Sequence, residues 1–143
     1  MKQQPLTLLI VDDDQDDREM LAEAIGEMMP GAKCMTAGNG VEALKILMDI
    51  KVKPQLIFLD LNMPKMNGLQ CMSRLKNLDS IKSIPVVIYT TSRQETEKLE
   101  SERLGSAYFL VKPSSYKALQ NELNKIFTQL CLCFCIFYIS FVF

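Results

Sequence analysis

Apolar runs of strand length alternate with segments of helical period along most of this chain, and that alternation restricts the fold more than any other feature. Leu6–Val11 is apolar except for Thr7, as a strand buried on both faces requires. Gln15–Met29 then carries Met20, Leu21, Ala24, Ile25 and Met28 on one helical stripe, and Pro30-Gly31 ends it. Lys33–Ala37 reads as a short strand, Gly38-Asn39-Gly40 as a turn, and Val41–Ile50 as a helix with Val41, Leu44, Leu47 and Met48 on one side. Leu56–Leu59 is a third strand, Asp60–Asn67 a loop with Pro64 and Gly68 as breakers, and Leu69–Leu78 a helix. Val86–Tyr89 follows Pro85 as a fourth strand, and Glu95–Leu104 is a charge-rich helix that offers little to a core. Ala107–Val111 is a fifth strand and Ser115–Phe127 a last helix, with Ser114 or Ser115 as its N-cap.

Strand and helix thus alternate five times, in (βα)5 order. Such alternation implies an α/β fold, a doubly wound five-stranded parallel sheet with helices on both faces and right-handed crossovers. Ligands of such sheets sit beyond the carboxyl ends of the strands.

Composition removes several classes of function. The chain has 143 residues, 48% of them apolar and 23% charged, which suits one ordered domain. A net charge of −1 without a block of Lys or Arg argues against nucleic acid. The absence of His rules out imidazole acid–base chemistry, His triads and His-ligated zinc. Met1–Thr7 has no long apolar run, so no signal peptide is expected. Five cysteines without paired spacing fit a reducing, cytoplasmic compartment.

The strand ends carry the chemistry. Asp12 and Asp13 follow the first strand, Asp60 the third, Thr90 the fourth and Lys112 the fifth. In a parallel sheet these positions share one edge. Three carboxylates that close raise one another's pKa, and a hard divalent cation relieves them: Mg²⁺, with Mn²⁺ as the alternative. Lys112 and Thr90 can neutralise and hydrogen-bond a tetrahedral anion from the other side, which is what phosphoryl transfer needs. Asp60 is then the candidate nucleophile. Taken singly, each residue has an ordinary explanation. Acids favour helix N-termini, and Asp14, Asp16 and Asp17 are read as doing only that. Thr90-Thr91-Ser92 could cap a helix and Lys112-Pro113 could end a strand. Independent capping would not be expected to place an acid pair, an acid, a hydroxyl and a Lys at four strand ends in that order.

With these segments in place, the chain resembles the receiver domain of two-component response regulators, of single-domain type. The likeness rests on Leu9-Ile10-Val11-Asp12-Asp13-Asp14, Leu56–Gly68, Pro85–Thr90 and Phe109-Leu110-Val111-Lys112-Pro113, and runs from about Leu6 to Phe127. The resemblance implies a flavodoxin-like receiver fold with strand order 2-1-3-4-5. It implies phosphorylation of Asp60 by a phosphohistidine of a sensor histidine kinase or histidine phosphotransfer protein, and no turnover of a separate substrate. It assigns Mg²⁺ to Asp12, Asp13, Asp60 and the backbone carbonyl of Asn62. Lys112 and Thr90 would contact the phosphoryl group, with Thr91 at the small-residue position beside it. Phe109 would be the switch aromatic, often a Tyr in the family, and the peptide before Pro113 would be cis. Downstream proteins, their identity unknown, would dock on the face of the fourth helix, fifth strand and fifth helix.

A haloacid-dehalogenase-type phosphatase would want an acid two residues after the nucleophile, where this chain has Asn62. A P-loop is excluded by the missing G-x-x-x-x-G-K-[ST]. A non-phosphorylated pseudo-receiver would normally lack one of the acids or the Lys, and none is missing. The domain is accordingly placed at residues 1–129, with an apolar tail at 130–143. Its aromatic and β-branched content favours strand over helix. A dispensable extension ranks first, packing on the domain or a homodimer partner second. A membrane anchor ranks third, because about 14 residues at ~1.5 Å each fall short of the ~30 Å hydrocarbon core. Cys131, Cys133 and Cys135 lack the spacing of a metal site.

Overall fold

The structure, a computed structural model, describes the backbone of residues 6–142 and the side chains of residues 6–130. The strands are β1 (Thr7–Val11), β2 (Lys33–Ala37), β3 (Leu56–Leu59), β4 (Val86–Thr90) and β5 (Tyr108–Val111). The helices are α1 (Gln15–Met28), α2 (Gly40–Asp49), α3 (Gly68–Lys76), α4 (Glu95–Arg103) and α5 (Tyr116–Val142). All pairings are parallel and the sheet order is β2-β1-β3-β4-β5, as the resemblance implied.

Each central strand is buried on both faces, and its side chains alternate between two cores. Leu9, Val11, Ile57, Leu59, Val86 and Ile88 face the layer that contains Leu47, Cys71, Met72 and Leu75 of α2 and α3. Leu8, Ile10, Phe58, Val87 and Tyr89 face Leu21, Ala24 and Ile25 of α1 and Leu119, Leu123 and Ile126 of α5. Burying one such side chain contributes roughly 1.5–3 kcal/mol, which explains why these runs, apart from the half-buried Thr7 that opens β1, carry no polar residue before the strand ends. The helix starts are capped as their sequences suggest. Asp14 accepts from the Asp17 amide, Asn39 from Glu42, and Asn67 with Gln70 forms a capping box. Ser115 Oγ accepts from the Ala118 amide at 3.1 Å at the start of α5.

Three expectations are corrected. Met20 of α1 is 43% exposed, and Val41 and Met48 of α2 are each 51% exposed. α2 instead buries Gly40, Ala43 and Leu47. It packs so closely that a Cβ on Gly40 would sit 3.0 Å from Met66 Sδ, and a close helix contact selects small residues over large apolar ones. The last helix does not end near Phe127 but continues to Val142, where a strand was expected. No Gly or Pro interrupts residues 128–142, and the helix penalty of β-branched and aromatic residues is only about 0.5 kcal/mol each against a helix already nucleated. Leu130, placed in the tail by sequence, packs against the α1–α5 core. The side chains from Cys131 onward lie outside the described residues, and with them the readings of the tail as metal site, strap or anchor. Among the described residues no helix is long and apolar enough to cross a membrane.

Candidate functional site at the strand carboxyl ends

The parallel register brings the strand ends level. Val11 pairs with Ala37 and Leu59, so the residues that follow, Asp12 and Asp60, emerge side by side. Their backbones are tied to the sheet: the Asp12 amide donates to Ala37 O at 3.0 Å and the Asp60 amide to Val11 O at 2.9 Å. Arg18 Nη1 donates to the Asp12 carbonyl at 2.6 Å and holds the turn into α1 from above.

Asp12 and Asp60 are 1% and 5% exposed, whereas Asp13 is open to solvent. Each of the three offers an oxygen, and these oxygens all lie within 4.8 Å of one another. Lys112 faces the same point. Its ammonium is 2.7 Å from Asp12 Oδ2, 2.7 Å from Asp17 Oδ2 and 3.6 Å from Asp60 Oδ2, and 5.4 Å from the centre of the Tyr89 ring. The contact with Asp12 Oδ2 is an ion pair without hydrogen-bond geometry, so that buried oxygen is left with lone pairs unspent.

Burial is the largest influence on Asp12 and pushes its carboxyl up to about 6. Lys112 and the Asp14 amide oppose the rise, and the Asp60 charge adds to it. Burial alone would lower the pKa of Lys112, but Asp12 and Asp17, then Asp60, hold it above the ordinary lysine value. A site of this kind, hard oxygens only and short of positive charge, suits a divalent cation of the Mg²⁺ class. Among the described residues the Asp60 carboxylate's hydrogen-bond and ion-pair contacts are long, 3.4 Å from the Asn62 amide and 3.6 Å from the Lys112 ammonium.

Thr90 ends β4 fully buried, its Oγ1 accepting from the Ser92 amide at 3.2 Å. The Lys112 amide donates to the Thr90 carbonyl at 2.7 Å, tying β5 to the same edge. Thr91 is exposed. Phe109 is half-buried against the α2–α3 core. Asn62 is exposed and, with Asp13, Leu61, Met63, Pro64 and Glu97, lines a groove of about 380 Å³ beside the carboxylates. The peptide before Pro113 is trans, which corrects the expected cis bond. Trans is the lower-energy form of an X–Pro bond by about 0.5–1 kcal/mol, and Lys112 is already fixed by its amide and by two carboxylates.

Two residues of this site escaped sequence reasoning. By sequence Asp17 is only a helix-start acid; its amide does donate to the Asp14 cap, but its carboxylate pairs with Lys112, 95 positions away. No local pattern signals such a pair. Gly68 was read as a breaker, but it is a close-approach glycine. A Cβ there would lie 2.2 Å from the Asp60 carbonyl oxygen and 2.6 Å from Leu61 Cα, and its amide donates to Leu61 O at 2.9 Å. A Gly eight residues after a strand-end acid was the available signal.

Comparison with known proteins agrees with this geometry. The family model described as response regulator receiver domain matches residues 8–124. The phosphate regulon transcriptional regulatory protein PhoB of Pseudomonas aeruginosa is 33% identical over 84% of this chain, but the chain spans only 51% of that protein. The phosphorylated cyanobacterial phytochrome response regulator RcpA superposes with a TM-score of 0.80 at 26% identity, over 86% of this chain and 91% of its own. The Mn²⁺-bound form of response regulator Rcp1 gives a TM-score of 0.77 at 28% identity, over 87% and 93%. Receiver domains are signalling domains of two-component systems. They take phosphoryl groups from histidine kinases, bind Mg²⁺ at an acidic pocket and are not in general turnover enzymes. With the sheet order, the acid triad and the family match in agreement, this chain belongs to the response-regulator receiver family.

Proposed function

We propose that this chain accepts a phosphoryl group on Asp60 from a phosphohistidine of a sensor histidine kinase or histidine phosphotransfer protein, and thereby switches the binding of a downstream protein. The observation that carries this reading is the convergence of Asp12, Asp13 and Asp60 oxygens within 4.8 Å, with the Lys112 ammonium 3.6 Å from Asp60. An Asp60 oxygen forms the new bond to phosphorus while the P–N bond of the donor breaks, its electron pair staying on the imidazole nitrogen. Lys112 and the Thr90 hydroxyl receive the charged oxygens of the transferred group. Mg²⁺, held by Asp12, Asp13, Asp60 and the Asn62 carbonyl, would neutralise charge on those oxygens when bound; Mn²⁺ is the alternative, in line with the existence of a Mn²⁺-bound form of Rcp1.

Thr91 borders the phosphoryl position, and Phe109 responds to movement of Thr90 through the β4–β5 pairing. The docking face is α4-β5-α5. Its support is the polarity of α4, which buries only Ser101. The receiver unit occupies residues 1–129 together with Leu130, whose packing ties it to the core. Free thiols at Cys34 and Cys71 suit a reducing, cytoplasmic setting.

The test is intact mass after incubation with acetyl phosphate and Mg²⁺. Wild type should gain one phosphoryl group and Asp60→Asn none. A gain on Asp60→Asn would place the acceptor elsewhere. Continuous release of phosphate without a stable adduct would point to a phosphatase instead.

A further inference from the structure

Among the described residues Asp17 is the one carboxylate at Lys112 that stands outside the acid triad. Asp12, Asp13 and Asp60 converge their oxygens on one point, and Asp17 stands outside that group. Its Oδ2 nevertheless lies 2.7 Å from Lys112 Nζ in a hydrogen-bonded ion pair, while Asp60 Oδ2 is farther at 3.6 Å. The Lys112 side chain is 10% exposed and that of Asp17 30%, so the pair is partly shielded from water. The ammonium is thus shared between Asp12 and Asp17, each at 2.7 Å, with the proposed phosphoacceptor Asp60 the farthest of the three.

A phosphoryl group on Asp60 would reverse that balance. It brings about two negative charges to the neighbourhood of Lys112, against one on Asp17. With Asp12 committed to the cation, Asp17 would be the remaining competitor for the ammonium. Asp17 also sits in the capped first turn of α1, its amide donating to Asp14 Oδ1 at 3.1 Å, so a change at its side chain acts on a helix start. We propose that Asp17 is a positioning residue for Lys112, a latch that holds the ammonium between α1 and β5 until the phosphoryl group on Asp60 draws it away. This inference rests on the phosphoacceptor reading and adds to it the control of Lys112.

The test uses the full chain with saturating Mg²⁺ and acetyl phosphate, following the initial rate of phosphoryl gain by intact mass. Asp17→Asn should raise that rate, by on the order of threefold or more, because the ammonium is freed toward Asp60. Asp17→Glu, which keeps the charge, should stay near wild type. The rate gain should vanish in a Lys112→Ala background, since the latch has nothing to hold there. In wild type, beryllofluoride with Mg²⁺ should shift the Asp17 and Arg18 amide resonances, and in Asp17→Asn that shift should shrink. Loss of a merely structural ion pair would lower stability without raising the rate. An unchanged or slower rate in Asp17→Asn overturns the latch, as does an equal gain in the Lys112→Ala background, which would mark a general charge effect. If wild type takes up no phosphoryl group at all, the phosphoacceptor reading fails and the latch with it, an outcome distinct from the other two.

Discussion

Gly68 lies directly against Asp60: a Cβ built on it would sit 2.2 Å from the Asp60 carbonyl oxygen. The contact is backbone on backbone, so no side chain can swing aside to relieve it. The β3–α3 loop leaves Asp60, passes through a left-handed residue at Lys65 (φ 67°) and returns at Gly68, whose amide bonds Leu61 O. Gly68→Ala should therefore destabilise the fold by on the order of 2–3 kcal/mol, the cost of overpacking a site that cannot relax. Because the clash is with Asp60 itself, phosphoryl uptake should fall by more than stability alone explains. Urea unfolding and intact mass on the same samples decide it. A midpoint within ~0.5 kcal/mol of wild type would mean the loop absorbs the methyl group.

Asp13 and Asp14 are neighbours in sequence with separate tasks. Asp13 is exposed and offers an oxygen to the acid triad, whereas Asp14 caps α1 by accepting from the Asp17 amide. Asp14→Ala should cost about 1 kcal/mol of stability and leave metal affinity nearly unchanged. Asp13→Ala should leave stability nearly unchanged and weaken Mg²⁺ binding by at least the ~10–100-fold typical for loss of a group that merely supports a ligand. Paired Mg²⁺ titrations and denaturation curves test the crossover. Equal effects of the two substitutions on both quantities would remove Asp13 from the metal site.

The buried carboxyl of Asp12 sets a pH dependence that metal should reverse. Burial first, with the charge of Asp60 adding to it, lifts this group from 3.8 to about 6 in the folded protein. The unfolded chain titrates it near ~3.9. An acid that holds its proton more tightly when folded gains stability as pH falls through its folded pKa, and the gain is complete below the unfolded value. Metal-free protein should thus become more stable from pH 7 to pH 5, by on the order of 1 kcal/mol. With saturating Mg²⁺ the trend should invert, because protons then compete with the cation. Urea midpoints at pH 7, 6 and 5, in EDTA and in Mg²⁺, are the measurement. A flat or falling EDTA series would show that burial does not raise the Asp12 carboxyl in the folded protein.

Strand runs and strand ends were legible in the sequence because a doubly buried strand excludes polar residues until the chain leaves the sheet. That is why Asp12, Asp60, Thr90 and Lys112 stood out as terminal residues, and the register places them at one edge. Contacts between elements were not legible. Asp17 looked like any acid of a first helical turn, and only the approach of β5 to α1 gives it Lys112 as a partner. Val41 and Met48 lay on an apolar stripe, yet the true contact face of α2 is set by how near Met66 and Cys71 come to Gly40. Helical periodicity alone does not report that distance. The extent of α5 was missed for a different reason. Residue type there favours strand, but a strand needs a partner to satisfy its backbone, whereas a helix already under way satisfies its own.

The boundary of the folded unit can be placed by truncation. Leu123, Ile126 and Phe127 are buried in the α1–α5 core and Leu130 packs against it, while the apolar composition continues to Phe143. A chain ending at Leu130 should unfold at the same urea midpoint as the full chain and accept phosphoryl at the same rate. Ending it at Gln129 should cost on the order of 1 kcal/mol, since Leu130 is only partly buried. Ending it at Ile126 removes Phe127 as well and should cost on the order of 3–5 kcal/mol, close to the stability of many domains this size. The series locates the edge of the core by a step between Leu130 and Ile126. Loss of cooperative unfolding in the chain ending at Leu130 would instead make the segment from Cys131 part of the fold. Binding of only the full chain to lipid vesicles, with all truncations equally stable, would give that segment a role at a membrane surface.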